Sequence, residues 1–173
     1  MKLPPAFSKN NEEINVVIET PKGCAAKYNY DESTQMFTLK KILPRGMVFP
    51  FHFGFIPHTK AEDGDPLDVL VLFDEPAWPG CIIECTVIGV LEAEEMKEKK
   101  KIRNDRLIAR ANASDKYNKI KQLSKLDNFL QDEIVHFFNT YTNLEKKDFQ
   151  IISKENSKIA IGLIKKHLVN RNN

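Results

Sequence analysis

Three aspartates fall within six residues in the stretch Glu62-Asp63-Gly64-Asp65-Pro66-Leu67-Asp68-Val69-Leu70-Val71-Leu72. Gly64 and Pro66 set the backbone in a turn, so Asp63, Asp65 and Asp68 can point inward just ahead of a buried strand. Carboxylates a few ångströms apart raise one another's pKa unless a cation sits among them, and a hard divalent ion held by oxygen ligands is the natural resolution. The turn does not fit a calcium loop of the EF-hand kind, which wants Gly at position 6 and Glu at position 12; counted from Asp63, those places hold Asp68 and Asp74. A plain Asp-Gly-Asp-Pro turn that binds nothing is the competing reading, and the cluster by itself leaves both open.

The elements that must position this turn read mostly as strands. Short β-branched or alternating runs, several closed by turn residues, predict strands at 14–19, 27–30, 36–42, 68–73, 82–91 and 106–111. Six short strands joined by turns predict a twisted barrel or sandwich, and no internal repeat supports a propeller or solenoid. The last third changes period: Leu126, Phe129, Leu130, Ile134, Phe137 and Phe138 share one helical face, with Ser124 as the expected cap and Asp127 in the first turn. A return strand is expected at 149–153. A second helix should follow, with Ser157 as cap and Ile161, Ile164 and Leu168 on its apolar side, before a fraying tail Asn170-Arg171-Asn172-Asn173. The charged run 92–105 reads as a solvated loop or hairpin tip. No linker interrupts the pattern, so residues 1–173 are expected to form a single domain.

Composition narrows the function. With 42% apolar and 29% charged residues the chain is a globular protein, neither a disordered tail nor a membrane span. A formal net charge of +2 lacks the basic excess that sequence-independent nucleic-acid binding needs, so no nucleic-acid or membrane partner is expected. The opening residues contain no apolar core of a secretory signal, and Cys24, Cys81 and Cys85 are odd in number, which together point to reduced thiols and a cytoplasmic location. Cys81 and Cys85 read as buried small hydrophobes rather than a zinc site, and His52, His58, His136 and His167 show no ligand spacing.

The acidic turn also resembles a family signature. The soluble inorganic pyrophosphatases, which have an OB-type barrel, carry Asp-x-Asp-Pro-x-Asp-Val, and here the motif stands as Asp63-Gly64-Asp65-Pro66-Leu67-Asp68-Val69. Val16-Val17-Ile18-Glu19 followed by Lys27-Tyr28 is similar to the family's opening strand pair, and Met47-Val48-Phe49-Pro50 with Phe53-Gly54-Phe55-Ile56 resembles the hairpin before the aspartates. Trp78-Pro79-Gly80, Gly89-Val90, His136-Phe137-Phe138, Tyr141 and Leu144-Glu145-Lys146 match later landmarks, so the resemblance runs over residues 14–152. It implies an α+β, mainly β fold: a closed five-stranded OB-type barrel with extra hairpin strands and two flanking helices. It implies hydrolysis of diphosphate to two phosphates with Mg2+ or another divalent cation. By position, Asp63 and Asp68 would hold metal, Glu19 would add a carboxylate at its rim, and Asp65 would take the proton of the attacking water. Lys27, Lys41, Arg106 and Tyr141 would bind the phosphoryl groups. A homo-oligomer, hexameric by analogy, is implied as well.

Departures from the family pattern gather at these same places. Asn29 stands where the family has Glu, Lys41 where it has Arg, and Phe49 and Phe53 where it has Tyr. In the later acidic loop Glu95 and Asn104 occupy the positions of two metal-binding Asp, and Arg106 that of a Lys; a shift of one residue would bring Glu94 or Asp105 there instead. Thr142 replaces a phosphate-binding Lys, with Lys146 and Lys147 close behind. Losing one transition-state donor costs about 100- to 1000-fold in rate, although such losses do not add. The implied activity is therefore a slow or altered diphosphatase, and the alternative is a catalytically impaired homologue that binds phosphate or serves assembly. A third reading, an oligonucleotide-binding barrel, requires Phe49, Phe51 and Phe53 to be exposed on a basic groove.

Overall fold

The computed structural model describes residues 2–8 and 12–169; the tail from Asn170, expected to fray, lies outside them. The elements run β1 (Glu13–Thr20), β2 (Ala26–Asp31), β3 (Met36–Ile42), β4 (His52–Phe55), β5 (Asp68–Leu72), β6 (Ile82–Lys97), β7 (Lys100–Arg103), β8 (Arg106–Ala111), α1 (Asn128–Leu144), β9 (Phe149–Asn156) and α2 (Ser157–Lys166). Strands β1, β4, β5, β8 and β6 pair in that order and β6 pairs back to β1, closing a ring of five strands, which is the mainly β arrangement with two helices that the resemblance implies. β7 and β9 extend β6, and β2 with β3 forms a separate two-stranded sheet.

Strand β5 illustrates why the ring holds. Its side chains alternate, so Leu70 and Leu72 enter one core with Phe49, Phe53, Ile108 and the α1 residues Ile134, Phe137 and Phe138. Val69 and Val71 enter a second core with Val16, Ile18, Leu107 and the α2 residues Ala160 and Ile164. A strand covered on both faces loses the hydrophobic–polar alternation of a half-exposed one, which is why β5 reads as an unbroken apolar run. Gly54 permits the closest approach in the ring: a Cβ there would lie 2.0 Å from the Val17 carbonyl oxygen of β1.

Several sequence expectations need correction. α1 is capped by Asp127, whose Oδ1 accepts from Phe129 N–H (2.9 Å), while Ser124 lies in a preceding 3-10 turn. α2 is capped by Asn156, whose Oδ1 accepts from the N–H groups of Lys158 (2.9 Å) and Ile159 (3.2 Å); Ser157 is already helical and its Oγ accepts from Gln122 Nε2 (2.8 Å). In both cases an Asp or Asn side-chain oxygen, three residues after Ser124 and one before Ser157, reaches the free amides of the first turn. Phe129 is exposed and Leu168 lies beyond α2. β4 is not read from composition, because four residues including His and Gly carry little strand signal, although the resemblance places Phe53-Gly54-Phe55 in a hairpin; the other arm given there, Met47-Val48-Phe49-Pro50, is not a strand. The charged run is largely strand: β6 continues to Lys97 and returns as β7 through Glu98 and Lys99, both at positive φ. Cross-strand pairing with β7 and β9 outweighs its poor strand composition.

Phe49, Phe51 and Phe53 are 1%, 3% and 2% exposed, so the base-stacking surface required by the oligonucleotide reading does not exist. Among the described residues no helix is long and apolar enough to cross a membrane. The three cysteines are free, and burial pushes the Cys85 thiol well above its ordinary value.

His52 on β4 is buried, with Nδ1 accepting from Lys22 N–H (3.1 Å) and Nε2 directed at the Glu75 carbonyl (3.0 Å), which assigns the proton to Nε2. Burial holds its pKa below the usual imidazole value, with the nearby Lys22 charge acting in the same direction. Below about pH 6.5 the unfolded chain takes up a proton that the native ring refuses, so this residue's contribution is full above that pH and lost as pH falls. The stability gap between the parent and His52→Phe should shrink from pH 7.5 to 5.5 in denaturant unfolding; a constant gap would contradict the neutral tautomer.

Candidate active site

The acidic turn opens onto one end of the ring. β5 and β8 run parallel with Val69 opposite Leu107, so their first residues, Asp68 and Arg106, emerge side by side. Arg106 Nη1 pairs with Asp68 Oδ2 at 2.9 Å, donates to the Asp105 carbonyl (3.0 Å), and also donates to Asn104 Oδ1. The guanidinium lies over the rings of Phe138 (5.7 Å) and Phe149 (5.6 Å), which bracket it from α1 and β9. Its Nε is buried without a hydrogen-bond partner.

Glu19 enters from β1 at a register shift between Ile18 and Thr20, an irregularity that redirects a side chain from its strand's alternation. Its Oε1 accepts from Tyr30 N–H at 2.7 Å. Burial pushes its pKa up to about 7, with the Asp68 carboxylate adding to the rise and the Tyr30 bond and Lys27 opposing it. Lys27 sits directly across from Lys41 on the β2–β3 ladder, a like-charge pairing that costs energy until an anion shares the site. Burial pulls the Lys27 pKa down against the Asp68 charge, and its Nζ lies over the Phe53 ring (5.1 Å) and the Tyr141 ring (6.0 Å). In the turn itself Gly64 adopts φ 96°, and Asp63 Oδ1 accepts from Asp65 N–H (3.1 Å). Burial raises the Asp63 pKa, and the Asp68 and Asp65 carboxylates raise it further.

These groups line a cleft in two parts that share Lys27, Asp65 and Asp68. The inner part, about 440 Å³, adds Glu19, Asn29, Asp31, Glu32 and Lys60; its carboxylates outnumber its ammonium groups, and it favours a cation. The outer part, about 290 Å³, adds Asp63, Glu95, Lys97, Asn104, Arg106 and Lys147; counted with the shared Lys27, Asp65 and Asp68 its acids and bases balance, so an anion meets no net repulsion there. The loop register is plain: Asn104 and Glu95 line the cleft. Asp105 turns away to accept from Ala93 N–H (2.9 Å) and pair with Arg103 (2.8 Å), and Glu94 pairs with Lys101 (3.3 Å).

Of the residues singled out in the sequence, Glu19, Lys27, Asp63, Asp65, Asp68, Glu95, Asn104 and Arg106 therefore meet around one cleft. Lys41 and Tyr141 do not line it; they stand beside Lys27, with Lys41 Nζ paired to Glu145 and lying 4.6 Å from the centre of the Tyr141 ring. Burial and the Glu145 carboxylate push the Tyr141 phenol far above its usual pKa. Glu145, read from the sequence only as a family landmark, and Lys97, not singled out at all, have no site role in the sequence reading. Glu145 binds Lys41 from one turn beyond Tyr141, a spacing that places both on one helical side. Lys97 donates to the Asp63 carbonyl (3.0 Å), which only the unforeseen extension of β6 makes reachable. Thr142 is buried, its hydroxyl spent on the Phe138 carbonyl (2.7 Å), while Lys147 reaches the cleft.

The donor set suits a hard cation: the acids are oxygen ligands, a cation beside Glu19 would offset the burial that raises its pKa, and Asn29, which lines the inner part, has its Oδ1 buried without a partner. Among the described residues no three carboxylate, imidazole or thiol groups already converge as a closed ligand set, and Arg106 pairs with Asp68.

Comparison with known proteins matches this architecture. The chain is 35% identical over 157 residues to an inorganic pyrophosphatase of Synechocystis, covering 91% of this chain and 90% of that one. It is 40% identical over 155 residues to an inorganic pyrophosphatase of Saccharolobus solfataricus, covering 88% and 87%. The crystal structure of the Thermus thermophilus inorganic pyrophosphatase superposes with a TM-score of 0.85 at 33% identity, covering 94% of this chain and 92% of that one. A family model described as inorganic pyrophosphatase matches residues 16–171, and with these likenesses it places the chain in the inorganic pyrophosphatase family.

Proposed function

We propose that this cleft hydrolyses inorganic diphosphate to two phosphates with a divalent cation, Mg2+ foremost, held by Asp63 and Asp68 with Glu19 at the rim and Glu95 and Asn104 opposite. The observation that carries the reading is the juxtaposition of Asp63, Asp65 and Asp68 with Lys27 and Arg106 in one cleft. When bound, the cation supplies charge neutralisation and Lewis-acid activation of water. Asp65 is the acid of the turn with a free carboxylate facing both parts of the cleft, and it takes the proton as the water oxygen bonds to phosphorus. The bond from that phosphorus to the bridging oxygen breaks, and the second phosphate leaves with the bridging oxygen.

Lys27 and Arg106 bind phosphoryl oxygens from opposite sides, and the aromatic bracket keeps the Arg106 fork oriented. Lys41 joins them by leaving Glu145, since a single ammonium cannot span both partners as a guanidinium fork can. Tyr141, its proton firmly held, donates a hydrogen bond to the more distant phosphoryl group. Lys147 stands near the place left by Thr142 and supplies a cation at the outer rim.

Purified protein should release phosphate from diphosphate in the presence of Mg2+, and Asp65→Asn should lower kcat by about 100- to 1000-fold with KM little changed. No phosphate release with Mg2+, Mn2+, Zn2+ or Co2+ from folded protein would contradict the reading. A cation that binds only the native state raises its melting temperature by mass action. Asp68→Ala should therefore abolish the Mg2+-dependent rise in melting temperature expected of the parent, and an undiminished rise would remove Asp68 from the ligand set.

A further inference from the structure

The loop bearing Asp63 and Asp65 is fastened by a segment with no chemical groups of its own in the reaction. Beyond α2 the chain turns back, and residues 167–169 run antiparallel to residues 58–60. Val169 N–H donates to the His58 carbonyl (2.9 Å), Lys60 N–H donates to the His167 carbonyl (2.9 Å), and Leu168 lies opposite Thr59. Thr59 is buried; its hydroxyl donates to the Ile56 carbonyl (2.7 Å) and accepts from Leu67 N–H (3.0 Å), joining the two ends of the loop. Within the loop Ala61 N–H donates to the Asp65 carbonyl (2.8 Å) and Gly64 N–H to the Ala61 carbonyl (3.1 Å). Hydrogen bonds thus run without a break from the strand-like segment after α2 to the backbone of Asp65.

We propose that residues 167–169 form a positioning strap that holds the aspartate turn in its cation-binding shape; this rests on the reading of the aspartates given above. Mutually repelling carboxylates on an unfastened loop would splay, and drawing them together would then be charged against every binding event. A loop already fastened by the strap binds without that ordering cost.

The test measures Mn2+ binding to the full chain by calorimetry without diphosphate, together with melting of the metal-free protein. Val169→Pro removes the N–H that holds His58 without altering any charge, and Val169→Ala keeps it. Val169→Pro should weaken Mn2+ binding by about tenfold, the scale seen when supports of metal ligands are removed, with metal-free melting close to the parent's and Val169→Ala binding as the parent does. Unchanged Mn2+ affinity in Val169→Pro, or an equal loss in Val169→Ala, overturns the strap. If Val169→Pro melts below the assay temperature, Lys60→Pro removes the second strap hydrogen bond and is judged by the same two outcomes; since it also deletes a positive charge beside the cleft, weaker binding there cannot come from electrostatics. A parent chain that takes up no Mn2+ overturns the aspartate reading itself, a result distinct from a parent that binds while the variants bind equally well.

Discussion

The structure turns on the electrostatic cost of placing Glu19, Asp63, Asp65 and Asp68 around a shared cleft, with Glu19 buried, Asp63 and Asp68 half-buried and Asp65 exposed. Burial drives Glu19 and Asp63 toward the neutral acid and Lys27 toward the neutral amine, so neither sign of charge is comfortable alone. The fold answers with interleaved charges: parallel pairing of β5 and β8 sets Arg106 against Asp68, and the register shift in β1 brings Glu19 within reach of Lys27. What remains unbalanced is the excess of carboxylates on the inner side, which favours a cation, while the outer side holds acids and bases in equal number.

The departures from the family pattern read differently once the neighbours are known. Phe53 lacks a hydroxyl but presents its ring to Lys27, replacing a hydrogen bond with a cation–π contact. Asn29 and Asn104 keep oxygen donors at the cleft while removing negative charge, which weakens the pull on metal and lessens the repulsion of phosphate. Thr142 has left the cleft altogether, and Lys147 restores a positive charge nearby. The substitutions thus lower the charge density of the site while preserving its polarity.

Much of this was legible in the chain. The β-branched run of β1 and the unbroken apolar run of β5 announced strands, and the acidic turn marked carboxylates that line the cleft. Less visible were features set by pairing over long distance. β4 is too short to signal itself, and the β6–β7 hairpin carries a charge pattern typical of loops because only its backbone pairing is buried information. The same extension of β6 decides which of Glu94, Glu95, Asn104 and Asp105 face the cleft, so that register could not be read before the strand was known. Glu145 and Lys97 act through tertiary neighbours that no local motif encodes.

The most direct test is the position of the cation itself. Crystals grown with Mn2+ and measured for anomalous scattering should show an ion coordinated by Asp63 and Asp68, with Arg106 drawn off Asp68 to make room. An empty cleft at saturating Mn2+, with the Arg106–Asp68 pair intact, would contradict the account.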